Sequence, residues 1–232
     1  MSKRVLRAAA GVGKVAFNGS VRHHKFWQLA NSGGTPEDVY RISRQLFSTE
    51  SLLQISGRKI DVHAKNGNHN SRDVINTIST LELKGYMTNT LLRDTDAMSM
   101  AHSLEVRVPF VDAKVVDYVL SLPGEWKLRA QNPTPKPLLA EALGDLLPRD
   151  FLARPKMGFT LPFEKWLQRN LRAEVSSVLE DSGRLSAAGL NIQAVQKIWR
   201  QFLQKPRAVG WSRPWSMYVL AKWCEINGVN CS

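Results

Sequence analysis

Acidic side chains lie among apolar ones in RDTDAMSMAHSLEVRVPFVD, residues 93–112. A carboxylate such as that of Asp94 or Asp96 could orient a substrate amine or a base. An acid at position 96 could equally cap the short helix that follows it. This stretch is therefore a candidate for binding a polar substrate, with helix capping as the structural alternative.

A second stretch, ARPKMGFTLPFEKWL at residues 153–167, presents a lysine from a restrained loop. Pro155 restricts the backbone before Lys156, and Gly158 permits an unusual turn after it. The ammonium group of lysine is a compact charge that suits contact with a migrating phosphate. Lys156 is thus a candidate phosphate-binding residue, and the alternative is an ordinary surface lysine.

Glu105 and Arg107 are two positions apart, so both side chains share a face if the segment is extended. We expect a partly buried ion pair that supports the loop between two helices rather than a catalytic pair. His102 has no second ligand or base at a telling spacing, and we expect it to be a hydrogen-bonded structural residue. Apolar residues should anchor the segment in the core: Met98, Met100, Leu104, Val106, Val108 and Phe110.

The elements that must position these residues are patterned as helices. Sustained period-two alternation is scarce, whereas apolar residues recur at helical spacing, which predicts a mainly α chain. Gly85 should end the helix that opens at residues 71–73, and residues 57–71 should form an exposed loop. A helix is expected to start at Thr35 and to extend to residues 46–47. Further helices should start at Asp112, Pro162 and Asn191. The last helix should span Ser212 to Ile226 and bear Trp215, Val219 and Trp223.

Composition limits the function classes. With 232 residues, 43% of them hydrophobic, the chain can form one or two domains with a substantial core. The only cysteines, Cys224 and Cys231, support neither a zinc site nor a disulfide framework, and we predict no metal site. No apolar run approaches the roughly 20 residues of a membrane-spanning helix, so we expect a soluble, cytoplasmic protein without a membrane partner.

The two stretches together resemble the C-terminal part of the asparagine synthetase family, through D-x-M-S-M-A-x-S-L-E-x-R-x-P-F-x-D and R-P-K-x-G-F in that order. The resemblance implies an amidotransferase of asparagine biosynthesis that uses ATP and Mg to convert aspartate to an adenylate. Ammonia released from glutamine then attacks that adenylate. It matches Lys156 to a lysine at the nucleotide phosphates and Asp96 to an acid near the cleft. Arg93 and Asp94 would assist in binding, while Glu105 and Arg107 match the E-x-R pair.

The resemblance also implies a fold: the helical C-terminal portion of an α/β ATP pyrophosphatase domain, here residues 71–232, preceded by a basic helical flank with a polar loop, residues 1–70. The chain lacks the initial Met-Cys of a glutaminase and the S-G-G-x-D-S loop, because SGGTPE at residues 32–37 reads as a loop and helix cap. We therefore expect little activity alone. The chain would be either a portion of a longer amidotransferase or the product of a split gene, whose partner chain carries both parts.

Two alternatives from other classes stay open. One is a noncatalytic interaction module of the same descent, which would expose an apolar patch and self-associate. The other is a basic helical nucleic-acid-binding protein, since the net charge is +12 and the isoelectric point is near 10.0. We do not expect nucleic acid to be the main partner, because spread positive charge is most often a solvated face.

Overall fold

The computed structural model describes residues 21–58, 73–128, 136–146, 148, 154, 158 and 161–231. Within these residues the chain forms helices and loops and no β-strand, which confirms the mainly α prediction. A π-helix, Leu83–Leu92, and two 3₁₀ turns, Pro109–Val111 and Gly144–Leu146, accompany the α-helices. These α-helices are α1 (Val21–Asn31), α2 (Pro36–Arg44), α3 (Thr49–Ser56), α4 (Val74–Glu82), α5 (Arg93–Met100), α6 (Ala113–Ser121), α7 (Gly124–Lys127), α8 (Pro137–Leu143), α9 (Phe163–Gln168), α10 (Arg172–Leu179), α11 (Ser182–Ala187), α12 (Ile192–Gln204), α13 (Pro206–Val209) and α14 (Ser212–Ile226).

Three helices begin where the sequence places an N-cap residue. Asp73 Oδ1 accepts the backbone N–H three residues later at 3.0 Å, and Asn191 Oδ1 does the same at 2.9 Å. Asp112 Oδ1 accepts the N–H two residues later at 2.9 Å. Each bond satisfies an amide that has no partner within its helix. The predicted starts of α4, α6 and α12 are therefore confirmed.

The SGGTPE segment forms a loop and a helix cap, as predicted. The Thr35 hydroxyl accepts the backbone N–H of Asp38 at 3.2 Å at the start of α2. α2 ends at Arg44, so its predicted extension to residues 46–47 is wrong. Near this end, the Lys25 ammonium donates a hydrogen bond to the Ser43 carbonyl at 2.7 Å. In a longer helix, that carbonyl would have accepted a backbone N–H of the next turn.

Gly85 does not end α4, contrary to the sequence-based expectation. The chain continues through the π-helix and directly into α5. The glycine instead leaves room for Tyr40, because a Cβ at position 85 would lie 2.6 Å from the Tyr40 hydroxyl oxygen. That hydroxyl also accepts the backbone N–H of Tyr86 at 3.3 Å. Gly85 therefore serves close packing rather than helix termination.

The chain forms two compact units. Of the described residues, the first unit contains 21–34, 41–58 and 161–231, and the second contains 35–40, 73–128, 136–146, 148, 154 and 158. The predicted boundary between residues 70 and 71, and most of the predicted polar loop, lie outside the described residues. No helix in the described ranges is long and apolar enough to cross a membrane.

The first unit has a well-developed apolar core. Trp199 of α12 is fully buried, stacks on Phe202 with ring centroids 5.7 Å apart, and donates its indole N–H to Ser176 at 3.0 Å. A buried indole donor needs such an acceptor. On α14 the buried face differs from the expected one, since Val219 and Trp223 are exposed. Its buried residues are Pro214, Met217, Tyr218, Ala221 and Cys224.

A polar network in the second unit ties α4 to the end of α6 and to α7. The Asp73 carboxylate accepts the Gly124 N–H at 2.7 Å, and the Asn76 amide donates to the Leu122 carbonyl at 3.0 Å. Lys127 donates to the Asn76 side-chain oxygen. Because the carboxylate accepts backbone N–H groups in its charged form, the pKa of Asp73 lies below its usual value. The network holds together α4, which precedes residues 93–112, and the elements that follow them, the end of α6 and α7.

Candidate functional site

Arg93, Asp94 and Asp96 lie in the first half of α5, and all three side chains are exposed. The helix continues directly from the π-helix, and no side chain makes a capping hydrogen bond at its start. The capping alternative for Asp96 is therefore wrong. The three residues form an exposed group of charges within about one helical turn of each other.

Hydrogen bonds fix both ends of the segment that follows α5. Ser103 adopts a left-handed conformation with φ 57°, which is uncommon outside glycine. The Leu104 N–H donates to the Ser99 carbonyl at 2.9 Å and closes the helix end. At the other end, the Val111 N–H donates to the carbonyl three residues earlier at 3.0 Å, just before the Asp112 cap of α6. The segment is thus held between two helices, as expected.

Glu105 and Arg107 form the predicted ion pair, since the guanidinium donates to the carboxylate. The expectation that this pair is partly buried is wrong, because the side chains of Arg107 and Glu105 are 86% and 70% exposed. An ion pair in water contributes little to stability. His102 is exposed too, and its backbone N–H donates to Ser99 at 3.0 Å.

The apolar residues of the same segment do not enter the core, contrary to expectation. Met98 is 69% exposed, Leu104 is 61% exposed and Phe110 is 71% exposed. Val106 and Val108 on the intervening turn are exposed as well. The physical reason is that no element of the second unit, among the residues described, covers this side of the segment. We use the name apolar face for these exposed side chains taken together: Met98, Met100, Leu104, Val106, Val108 and Phe110.

Lys156 lies outside the described residues. The next described helix, α9, begins at Phe163 directly after Pro162, where the sequence predicts a helix start. Phe163 stacks on Trp211 with ring centroids 4.4 Å apart and packs against Trp166 at 5.3 Å and Trp215 at 5.5 Å. This aromatic cluster anchors the chain soon after the lysine loop. Sequence reasoning missed it, although the tryptophans of WSRPW at residues 211–215 were the available signal.

Potential metal ligands do not gather in the part of the chain that the structure describes. There, no three side chains of His, Cys, Asp or Glu lie close enough together to hold an ion. The acids of α5 also form no ion pair with Arg107, whose partner within residues 93–112 is Glu105. The described part of the candidate site therefore consists of exposed charges on α5 and exposed apolar side chains within residues 93–112.

Comparison with known proteins gives matches in one family. A sequence profile described as asparagine synthase matches residues 14–225. Glutamine-hydrolyzing asparagine synthetases 1 and 3 of Bacillus subtilis (strain 168) are similar: the first is 35% identical over 108 residues, 47% of this chain and 17% of that protein. The second is 38% identical over 107 residues, 43% of this chain and 17% of that protein. The glutamine-hydrolyzing asparagine synthetase of Cricetulus griseus is 45% identical over 67 residues, 28% of this chain and 12% of that protein. The matched segments thus span less than a fifth of these relatives, and no solved structure matches.

Proposed function

The chain belongs to the asparagine synthase family, and we propose that it supplies the C-terminal helical part of the synthetase site of an amidotransferase-type ligase. The family match at residues 14–225 includes both chemically suggestive stretches, 93–112 and 153–167. The proposed reaction joins ammonia, released from glutamine, to the carboxylate of aspartate or a related acid, with ATP as the energy source. The ATP loop and the glutaminase would lie in another part of the same polypeptide or, in a split enzyme, in a partner polypeptide.

The proposed chemistry has two steps. First, a carboxylate oxygen attacks the α-phosphorus of Mg-ATP, and pyrophosphate leaves with the electrons of the broken P–O bond. Second, ammonia attacks the acyl carbon and loses a proton, and AMP leaves. We assign Lys156 to the first step, because its ammonium can neutralise charge that builds up on the α-phosphate and on the departing pyrophosphate.

The charges of α5 are proposed to bind the substrates. Arg93 can donate paired hydrogen bonds to a phosphate or carboxylate. Asp94 and Asp96 can accept hydrogen bonds from the amine of an amino acid substrate, and Asp96 is the acid we place nearest the reaction. Their exposure on α5 supports this role, since a ligand can reach all three side chains. Glu105 and Arg107 are proposed as positioning residues that hold the segment after α5.

The observation that supports a protein partner is the exposure of the apolar residues in the same stretch, 93–112, as these charges. Covering a large apolar side chain completely stabilises a protein by about 1.5–3 kcal/mol, so a surface of six such residues favours a protein partner. The relatives have more than four fifths of their length outside the matched segment, and the proposed partner carries the corresponding parts. We therefore propose that the apolar face packs against the polypeptide that holds the ATP loop.

The same face also favours a second candidate, a noncatalytic module that associates with itself. The two candidates differ in what the chain binds. The synthetase proposal requires a phosphate subsite at Lys156, whereas a module that only self-associates does not.

Calorimetric titration with Mg-ATP and with pyrophosphate, at two salt concentrations, tests the phosphate subsite. We expect saturable pyrophosphate binding that weakens at least about tenfold, roughly 1.4 kcal/mol, in Lys156→Ala. The matched control is Lys165→Ala, which removes another lysine, exposed on α9, and should leave binding unchanged. Equal affinities for all three proteins, or no binding to any, would contradict the assignment of Lys156.

Copurification tests the partner. The tagged full chain should retain a polypeptide that contains an S-G-G-x-D-S sequence, and the double variant Leu104→Gln, Phe110→Gln should lose it. Retention of the same polypeptide by the double variant would show that the apolar face is not the docking surface. A chain that forms homodimers through this face and binds no pyrophosphate would support the noncatalytic candidate instead.

A further inference from the structure

The fold brings together two cysteines that the sequence separates. Cys224 is buried on α14, and Cys231 follows the end of that helix. The chain turns back between them, because Gly228 adopts a left-handed φ of 62° and the Val229 N–H donates to the Cys224 carbonyl at 2.9 Å. Cys231 packs against the buried cluster that contains Cys224. Burial and the neighbouring Cys231 thiol both raise the pKa of the Cys224 thiol.

The backbone of Cys231 is held at both of its polar groups. Its N–H donates to the Ala187 carbonyl at 2.7 Å, and its own carbonyl accepts from the Arg58 guanidinium at 2.8 Å. A Cβ on Gly189 would lie 3.0 Å from the Cys231 Cβ, so the glycine leaves room for this approach. The Cys231 thiol is therefore positioned beside Cys224 by contacts with α11 and with the residues that follow α3.

We propose that Cys224 and Cys231 are a reversible thiol–disulfide pair that fastens the C-terminal turn to α14. Both cysteines are free in the structure. The inference does not depend on the proposed synthetase function, because it uses residues of the first unit alone. The oxidant is a small-molecule disulfide, for which oxidised glutathione is the probe.

The exchange proceeds in two steps. The partly exposed Cys231, as thiolate, attacks one sulfur of the small disulfide, forms a mixed disulfide and releases one thiolate. Cys224 then attacks the Cys231 sulfur, forms the intrachain bond and releases the second thiol. Two protein thiols lose two electrons and two protons, and the small disulfide is reduced to two thiols. Burial keeps the small disulfide away from Cys224 and raises the pKa of its thiol, so the first attack falls to Cys231.

Intact mass measurement of the full chain in glutathione buffers of graded oxidised-to-reduced ratio tests the proposal. We expect the folded chain to lose two hydrogen atoms without retaining glutathione, and digestion should yield a peptide linked between Cys224 and Cys231. Cys224→Ser should accumulate one glutathione on Cys231, because the second step is blocked. Cys231→Ser should stay unmodified, because the remaining thiol is buried.

Two further measurements separate a built pair from accidental proximity. Arg58→Ala removes the hydrogen bond to the Cys231 carbonyl. Half oxidation of the cysteine pair in this variant should need a severalfold higher ratio of oxidised to reduced glutathione. The chain unfolded in urea should require a higher ratio than the folded chain. Equal ratios for folded and unfolded chain, stable glutathione adducts on the unsubstituted protein, disulfide-linked dimers or a lack of oxidation would each overturn the proposal.

Discussion

Replacing Leu104 by alanine should hardly change the stability of the second unit, whereas the same replacement at Leu81 should be costly. Leu104 is 61% exposed and Leu81 is 7% exposed, and both belong to this unit. Complete burial of a leucine side chain contributes about 1.5–3 kcal/mol, so the two fifths of Leu104 that is covered contributes about 1 kcal/mol or less. Leu81→Ala removes buried methyl groups and should cost about 2–5 kcal/mol.

Urea unfolding followed by circular dichroism gives the free energy of unfolding for each variant. Hydrogen exchange of the α4 amides reports the opening of the second unit separately from the first. A loss for Leu104→Ala as large as that for Leu81→Ala would refute the exposed placement of Leu104. It would return the segment to the core and remove the argument that the apolar face binds a partner.

Three further perturbations test the packing. Gly85→Ala should destabilise the protein by about 1–3 kcal/mol, because the added Cβ meets the Tyr40 hydroxyl, and Tyr40→Phe in the same chain should recover part of that loss in urea unfolding. Burial and the hydrogen bond to Glu174 raise the pKa of Tyr218 to about 12, so the free energy of unfolding should fall as the pH rises from 10 through 12. Absorbance titration should show a lower tyrosine pKa in Glu174→Gln, and an unchanged pKa would contradict the assigned contact. Trp199→Ala should cost about 3–5 kcal/mol in urea unfolding, since it empties a fully buried site, and a loss below about 1 kcal/mol would contradict that burial.

Local chemistry made the helix starts predictable. Asp73, Asp112 and Asn191 each cap a helix through a bond to an amide two or three residues away, so the neighbouring residues suffice to predict it. The apolar stripe of α12 was predictable for a related reason, since Val195, Trp199 and Phe202 recur at helical spacing and all are buried.

Features that depend on distant residues were not predictable. Gly85 resembles a helix terminator in sequence, and only the approach of the Tyr40 ring shows that it is needed for space. α14 carries apolar residues on several faces, so the sequence could not single out the face that packs inward. α3, α10 and α11 were not singled out at all, although the Ser48 and Asp181 side chains cap α3 and α11.

The sequence by itself determined the family, through two ordered motifs, and the helical class with several of the helix starts, because these depend on residue types over short spacings. Only the tertiary structure decided that the segment holding Leu104 and Phe110 is exposed and that Cys231 packs against the buried cluster that contains Cys224. A pattern of apolar residues specifies which side chains gain from leaving water, but burial requires another element to cover them. Whether another element packs over a given side chain depends on the folded arrangement of residues distant in sequence. A local sequence pattern therefore cannot decide it.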